Sequence, residues 1–131
     1  MAKESIDGKE QVLLCVNASL KRKAKNLIIL NVKEYSSFAD YFIICSGTSD
    51  RQVQAITAAI RENLKEYGIM PLGIEGEQHG RWVLMDYEDV IIHIFYEPVR
   101  EFYDIERLWS DAPRMEVGDE VIELTALRKG M

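Results

Sequence analysis

Ser46-Gly47-Thr48-Ser49 stands where a β-prone apolar run, Tyr41 to Ser46, meets a helical stripe. A glycine turn that opens a helix after a strand can present backbone N–H groups to a phosphate. A P-loop would add a lysine, and a dinucleotide fingerprint would need a full G-x-G-x-x-G; the chain has neither at this turn. Asp86 and Asp89 are a second candidate, as paired carboxylates, although Asp at a strand end is also a turn residue that bonds its own backbone. Glu75, Glu77 and His79 alternate, so on an extended segment they would share one side and could ligate a metal. Their neighbours Gly76 and Gly80 favour a loop, and no fourth ligand can be named beside them. His93, set among Ile91, Ile92, Ile94 and Phe95, reads as a hydrogen-bonded core or interface histidine. No serine or cysteine nucleophile with a spaced base stands out, so the expectation is no enzyme, no cofactor and no metal.

The elements that must position these residues follow from periodicity. Asp7 and Glu10 are spaced as a capping box, and Val12, Leu13, Val16, Leu20 and Ala24 recur at helical spacing, predicting a helix from Gly8 to Lys25. Leu27 to Val32 and Tyr41 to Ser46 predict two neighbouring strands. Ser49 and Gln52 form a second capping box, after which Val53, Ile56, Ile60 and Leu64 make a stripe ending at Gly68. Pro71 to Glu75, Arg81 to Tyr87 and Asp89 to Tyr96 predict three more strands, the last two joined by a tight hairpin at Tyr87 and Glu88. Pro98 suits a helix N1 position, and Val99, Phe102, Ile105 and Leu108 or Trp109 fall on one face of a third helix. The expected order is αββαβββα, an α/β fold with a five-stranded mixed sheet flanked by helices. Residues 1–109 form the expected single domain, and 110–131, interrupted by Pro113, Gly118 and Gly130, a tail of weak or partner-dependent order.

Composition narrows the partners. A chain of 131 residues, 47% hydrophobic, fits one domain that buries about two thirds of its unfolded surface. The net charge of −6 disfavours a general nucleic-acid binder, while Lys21, Arg22, Lys23 and Lys25 form a basic run that could touch RNA or simply suit the negative end of a helix dipole. Cys15 and Cys45 sit among apolar neighbours with no C-x-x-C pair and read as core thiols of a reducing compartment. No apolar run approaches the roughly 18 residues of a membrane span, and Glu4, Asp7 and Glu10 are unlike a transit peptide, so the cytoplasm is the expected location.

Residues 81 to 87 carry large apolar groups on both faces of a strand: Trp82, Leu84 and Asp86 on one, Val83, Met85 and Tyr87 on the other. Three helices must cover five strands, so part of one sheet face is expected to stay open as a protein interface. Tryptophan, tyrosine and arginine are enriched at binding hot spots, and Trp82, Arg81, Tyr87, Tyr103 and Trp109 supply them.

Four blocks occur in order: SSFADYFIICSGTSDRQ at Ser36 to Gln52, PLGIEGE at Pro71 to Glu77, GRWVLMDYEDVIIHIF at Gly80 to Phe95, and REFYDIERLW at Arg100 to Trp109. Together they resemble the ribosomal silencing factor (Iojap-like) family. That resemblance implies a nucleotidyltransferase-like fold and a translational repressor that binds the large ribosomal subunit at ribosomal protein L-fourteen and sterically blocks the small subunit. It implies a partner-binding set of Trp82, Leu84, Asp86 and Tyr87, with Arg100 and Tyr103 from the last block. A homodimer that hides the same apolar face is a further expectation. Nucleotidyltransferases follow the glycine turn with two carboxylates, two residues apart, that hold Mg²⁺; the matching Ile56 to Glu62, ITAAIRE, has no such pair. The alternative reading is a nucleotidyltransferase-like enzyme or nucleotide sensor that uses the Gly47 turn. Family members often carry glycine where this chain has Glu88, so a turn needing positive φ there would be strained.

Overall fold

The computed structural model describes residues 7–118. Asp7 caps the first helix, α1 (Gly8–Lys21), by accepting a hydrogen bond at Oδ1 from the Glu10 N–H, 2.9 Å away. The helix ends four residues earlier than expected, because Lys23 adopts φ 62° and the chain turns into strand β1 (Lys25–Asn31). Strand β2 (Tyr41–Gly47) pairs antiparallel with β1. Ser49 then caps α2 (Asp50–Lys65), whose stripe Val53, Ile56, Ile60 and Leu64 is fully buried. Strands β3 (Gly73–Glu75), β4 (Trp82–Asp86) and β5 (Val90–Tyr96) follow, and β5 runs parallel to β2 in the middle of the sheet.

Two expectations change beyond β5. The third helix, α3 (Glu97–Tyr103), does not run to Trp109: Asp104 takes a left-handed conformation at φ 45°, and residues 105–109 continue as a 3₁₀ turn. Phe102 and Leu108, placed by helical spacing on a packed face, are 80% and 77% exposed as a result. Among the described residues the sheet also has six strands rather than five. Strand β6 (Arg114–Glu116) pairs antiparallel with the outer edge of β1, giving the order β3-β4-β5-β2-β1-β6. The chain after Trp109, expected as a tail, is thus part of the sheet through Glu116; residues 119–131 lie outside the described residues.

The layers are unequal. Helices α1 and α2 pack over one sheet face, where Ile29, Ile43, Cys45, Val83, Met85, Ile92 and Ile94 are buried against Val12, Cys15, Val16 and the α2 stripe. The other face has a smaller core of Ile28, Leu30, Val32, Phe42, Ile44 and Phe95, closed by α3, the 3₁₀ turn and Ala112. No helix among the described residues is long and apolar enough to cross a membrane.

Candidate docking face

Residues directly opposite each other on paired strands share a sheet face, so the register lays out the less-covered side row by row. Trp82 stands beside Phe95, and Phe95 beside Ser46. The next row runs Leu84, His93, Ile44 and Ile28, and the one after it Asp86, Ile91, Phe42 and Leu30. Strand β3 extends this face outward, placing Glu75 next to Leu84. Toward β1 the rows are buried, and toward β4 they open: Trp82, Leu84, Asp86 and Ile91 all keep part of their surface. The seven-residue α3 meets β1 through Arg100 and β4 through Tyr103 at Trp82, and Leu84, Asp86 and Ile91 stay partly exposed.

An aromatic array runs across this face, with Trp82 and Tyr103 at its exposed end. The Trp82 ring lies 4.9 Å from Phe95 and 5.0 Å from Tyr103, centroid to centroid, while Phe42 meets Trp109 edge-on at 4.9 Å. His93 joins the two halves, stacked near Phe95 and edge-on to Phe42. The Trp82 indole N–H donates to His93 Nδ1 across 3.1 Å. An indole can only donate, so Nδ1 is the acceptor and the ring proton sits on Nε2. Burial lowers the His93 pKa from 6.5 to about 4, which keeps the imidazole neutral and the acceptor intact at neutral pH. A groove of about 420 Å³ runs from Trp82 to Val99, Phe102 and Tyr103.

Neighbouring contacts hold this array in place. Gly76, at φ 82°, lies so close to the Trp82 carbonyl that any Cβ would collide with it, which brings the 76–80 loop hard against the start of β4. Glu77 anchors that loop to α2 by a two-pronged ion pair with Arg61, at 3.0 and 2.7 Å. Glu77 is therefore held by Arg61, and among the described residues no group of three ligating side chains comes together. Glu88 takes the strained turn position at φ 76°, and its N–H is bound by Asp86 Oδ1 at 2.8 Å. Asp86 thus works as the turn residue of the hairpin as well as facing outward.

Two residues of the expected partner-binding set point elsewhere. Tyr87 is 5% exposed and belongs to the helix-covered core, on the face opposite Trp82. Arg100, 6% exposed, reaches from α3 to the Asn26 carbonyl and Ser46 Oγ at 2.8 Å each, and pairs with Glu106 at 3.0 Å. Its guanidinium ties α3 and the 3₁₀ turn to the ends of β1 and β2. Trp82, Leu84, Asp86 and Tyr103 remain together on the open face, Tyr103 being 53% exposed.

A sequence profile described as "Ribosomal silencing factor during starvation" matches residues 5–129. The chain belongs to the ribosomal silencing factor family. The ribosomal silencing factor RsfS of Halalkalibacterium halodurans is 41% identical over 112 residues, 86% of this chain and 96% of that protein. A more distant relative, the mouse "Mitochondrial assembly of ribosomal large subunit protein 1", is 27% identical over 110 residues, 82% of this chain and 48% of that one. The crystal structure of a Chromobacterium violaceum protein superposes with a TM-score of 0.79 at 36% identity, covering 80% of this chain and 88% of that one. The family profile continues past Trp109, where the four sequence blocks stop, in keeping with the place of β6 in the sheet.

Within this silencing-factor fold the Gly47 turn caps α2. The Thr48 N–H and hydroxyl both go to Gln52 Oε1, at 2.6 and 2.9 Å, and the Gln52 N–H goes to Ser49 Oγ at 3.1 Å. Thr48, Ser49 and Gln52 thus bond one another in the cap of the helix. Both cysteines are buried, and burial pushes their thiols up, that of Cys45 to about 12, so neither is a ready nucleophile. Sequence reasoning missed Phe42, Ile91 and the Trp82–His93 bond as parts of the face. The signal was the alternation of Phe42, Ile44 and Ser46 against Ile43 and Cys45, which could not by itself say which side faced Trp82.

Proposed function

We propose that this protein docks on the large ribosomal subunit through its open aromatic face, contacts ribosomal protein L-fourteen there, and prevents the small subunit from joining by occupying space. The observation that carries the reading is the partly exposed array of Trp82, Leu84, Ile91 and Tyr103 in a silencing-factor fold, on a sheet face that α3 leaves half uncovered. Family membership and the large-subunit name of the mouse relative support the ribosome as the target. Contiguous apolar surface with a polar rim suits a protein partner, and aromatic groups at its centre suit a hot spot. Glu75, Asp86, Glu88 and Asp89 rim the array, and with the net charge of −6 they complement a basic ribosomal protein, where such charge speeds and orients encounter. Steric exclusion requires affinity but no chemistry, which is consistent with a glycine turn whose donors serve the helix cap. Trp82, Leu84, Asp86 and Tyr103 make the contact; Tyr87 and Arg100 hold the strand and helix that present them. Free copies would cover the same apolar face by pairing.

Sedimentation with separated large subunits and with assembled ribosomes tests the reading. The unmodified protein is expected to pellet with free large subunits and not with assembled ribosomes, and Trp82→Glu, shown by circular dichroism to be folded, to stay in the supernatant. A folded Trp82→Glu that still pellets with large subunits would remove the aromatic face from the docking site.

A further inference from the structure

The basic run at the end of α1 is a charged feature that the docking face does not use. Four cations, Lys21, Arg22, Lys23 and Lys25, fall within five consecutive residues of a chain whose net charge is −6, and all four are exposed. The turn that carries them is built rather than frayed. The Lys23 N–H donates to the Leu20 carbonyl and the Ala24 N–H to the Ser19 carbonyl, closing the helix with Lys23 in the left-handed position where glycine is the usual occupant. The Gln52 side-chain amide of α2 donates to the carbonyls of both Arg22 and Lys23, at 3.1 and 2.9 Å. Arg51, the residue before Gln52, is exposed in the first turn of α2, whose dipole has its positive end there.

Helix-dipole matching alone does not account for this arrangement. The dipole effect fades within the last helical turn, yet Lys23 and Lys25 lie beyond the end of α1. A lysine also occupies a strained backbone position at φ 62° that glycine would fill without steric cost. The patch sits at the same end of the sheet as Trp82, because Lys25 is registered with Ser46, Ser46 with Phe95, and Phe95 with Trp82. Glu62 and Glu66 of α2 share a groove with Lys21 and Arg22, and Glu97 is engaged by the Asn26 side-chain amide. Charges beyond about 10 Å are screened at physiological salt, so the local cluster, not the net charge, sets what binds there.

Resting on the ribosome-docking reading above, we propose that the α1–β1 turn, with Lys21, Lys23, Lys25 and Arg51, grips the phosphate backbone of ribosomal RNA beside the protein contact. Exposed side chains on a short turn track a polyanion through ion pairs that release counterions. The large exposed apolar side chains are Tyr35, Phe38, Tyr67, Met70, Leu72, Phe102, Tyr103 and Leu108, so none lies in the patch to enter a lipid surface, and RNA fits better than a membrane. The two contacts divide the work: the aromatic face chooses the ribosomal protein, and the cationic turn adds salt-sensitive affinity without reading sequence.

Affinity for purified large subunits, measured across a salt series, tests this. Lys21→Ala, Lys23→Gly and Lys25→Ala combined are expected to weaken binding at least roughly tenfold at low salt. They are also expected to lower the slope of log affinity against log salt by roughly 2–3. Trp82→Glu should weaken binding with the slope unchanged. Lys23→Gly alone should raise the melting temperature while weakening binding, since glycine suits the turn and only the charge is lost. Equal slopes for the triple variant and the unmodified protein would overturn the RNA contact and leave the docking reading standing. Failure of the unmodified protein to bind large subunits overturns both. Loss of binding to phosphatidylglycerol vesicles with ribosome binding intact would assign the patch to a membrane and overturn the proposal.

Discussion

Strand β4 lies between two faces that were finished differently. Val83 and Met85 have no exposed surface, sealed under α1 and α2, whereas Trp82, Leu84 and Asp86 on the same strand keep theirs. Residue type does not separate the two sides, since tryptophan and leucine are as apolar as valine and methionine. What separates them is the length of the covering helices. Helix α2 has sixteen residues, while α3 has seven and meets β4 at Trp82 through Tyr103, leaving Leu84 and Asp86 partly exposed. The chain completes one face within itself and leaves the other for a second molecule.

Paired substitutions on β4 give the largest test of that contrast. Met85→Ala is expected to cost about 2–5 kcal/mol of stability, because it opens a cavity in a closed core. Leu84→Ala, one residue away, should cost under about 1 kcal/mol in the free protein and weaken large-subunit binding instead. Chemical denaturation and sedimentation on the same two variants read both quantities. Equal stability losses would show that the Trp82 face is as closed as its opposite.

The pH dependence tests the hydrogen bond at the centre of the open face. The folded His93 pKa, about 4, lies below the unfolded value of 6.5, so between those values the unfolded chain binds the extra proton. Stability is therefore full above pH 6.5 and falls as the pH drops toward 4, by about 3 kcal/mol in all. His93→Phe should flatten that slope, and tryptophan fluorescence should report the loss of the Trp82 N–H bond as acid is added. An unchanged slope in His93→Phe would place the acid sensitivity elsewhere.

The smallest expected effect comes from the hairpin between β4 and β5. Glu88→Gly relieves a non-glycine residue at φ 76° and should raise stability by about 0.5–1 kcal/mol, or roughly 2–5 °C in melting temperature. Docking should be unchanged unless the Glu88 charge belongs to the contact. A drop in binding with a rise in melting temperature would therefore extend the docking face to the hairpin tip.

Much of the architecture was legible from local patterns. The capping residues Asp7 and Ser49, the α2 stripe and the opposite facings of Trp82 and Met85 depend on spacings of two to four residues, and the structure has them as expected. Alternation had also placed Tyr87 with Val83 and Met85, against the partner-binding role that family likeness suggested for it, and the structure agrees with alternation. The break of α3 at Asp104 was not legible, because Ile105 and Leu108 or Trp109 keep helical spacing through a 3₁₀ turn. Strand β6 was missed because three residues carry too short a pattern to stand out.

The sequence by itself determined the two helices α1 and α2, strands β1 to β5, and which side chains share a side of each, since those follow from backbone periods of 2 and 3.6. It did not determine which side would be covered. That depended on Arg100 reaching residues 74 and 54 positions away to fix α3 over β1 and β2. It depended equally on the parallel pairing of β2 with β5 that brings Phe42 and Trp82 to one face. Contacts between residues so far apart in the chain have no local spacing to announce them, and the tertiary structure alone decided that the open face would be the one with Trp82 on it.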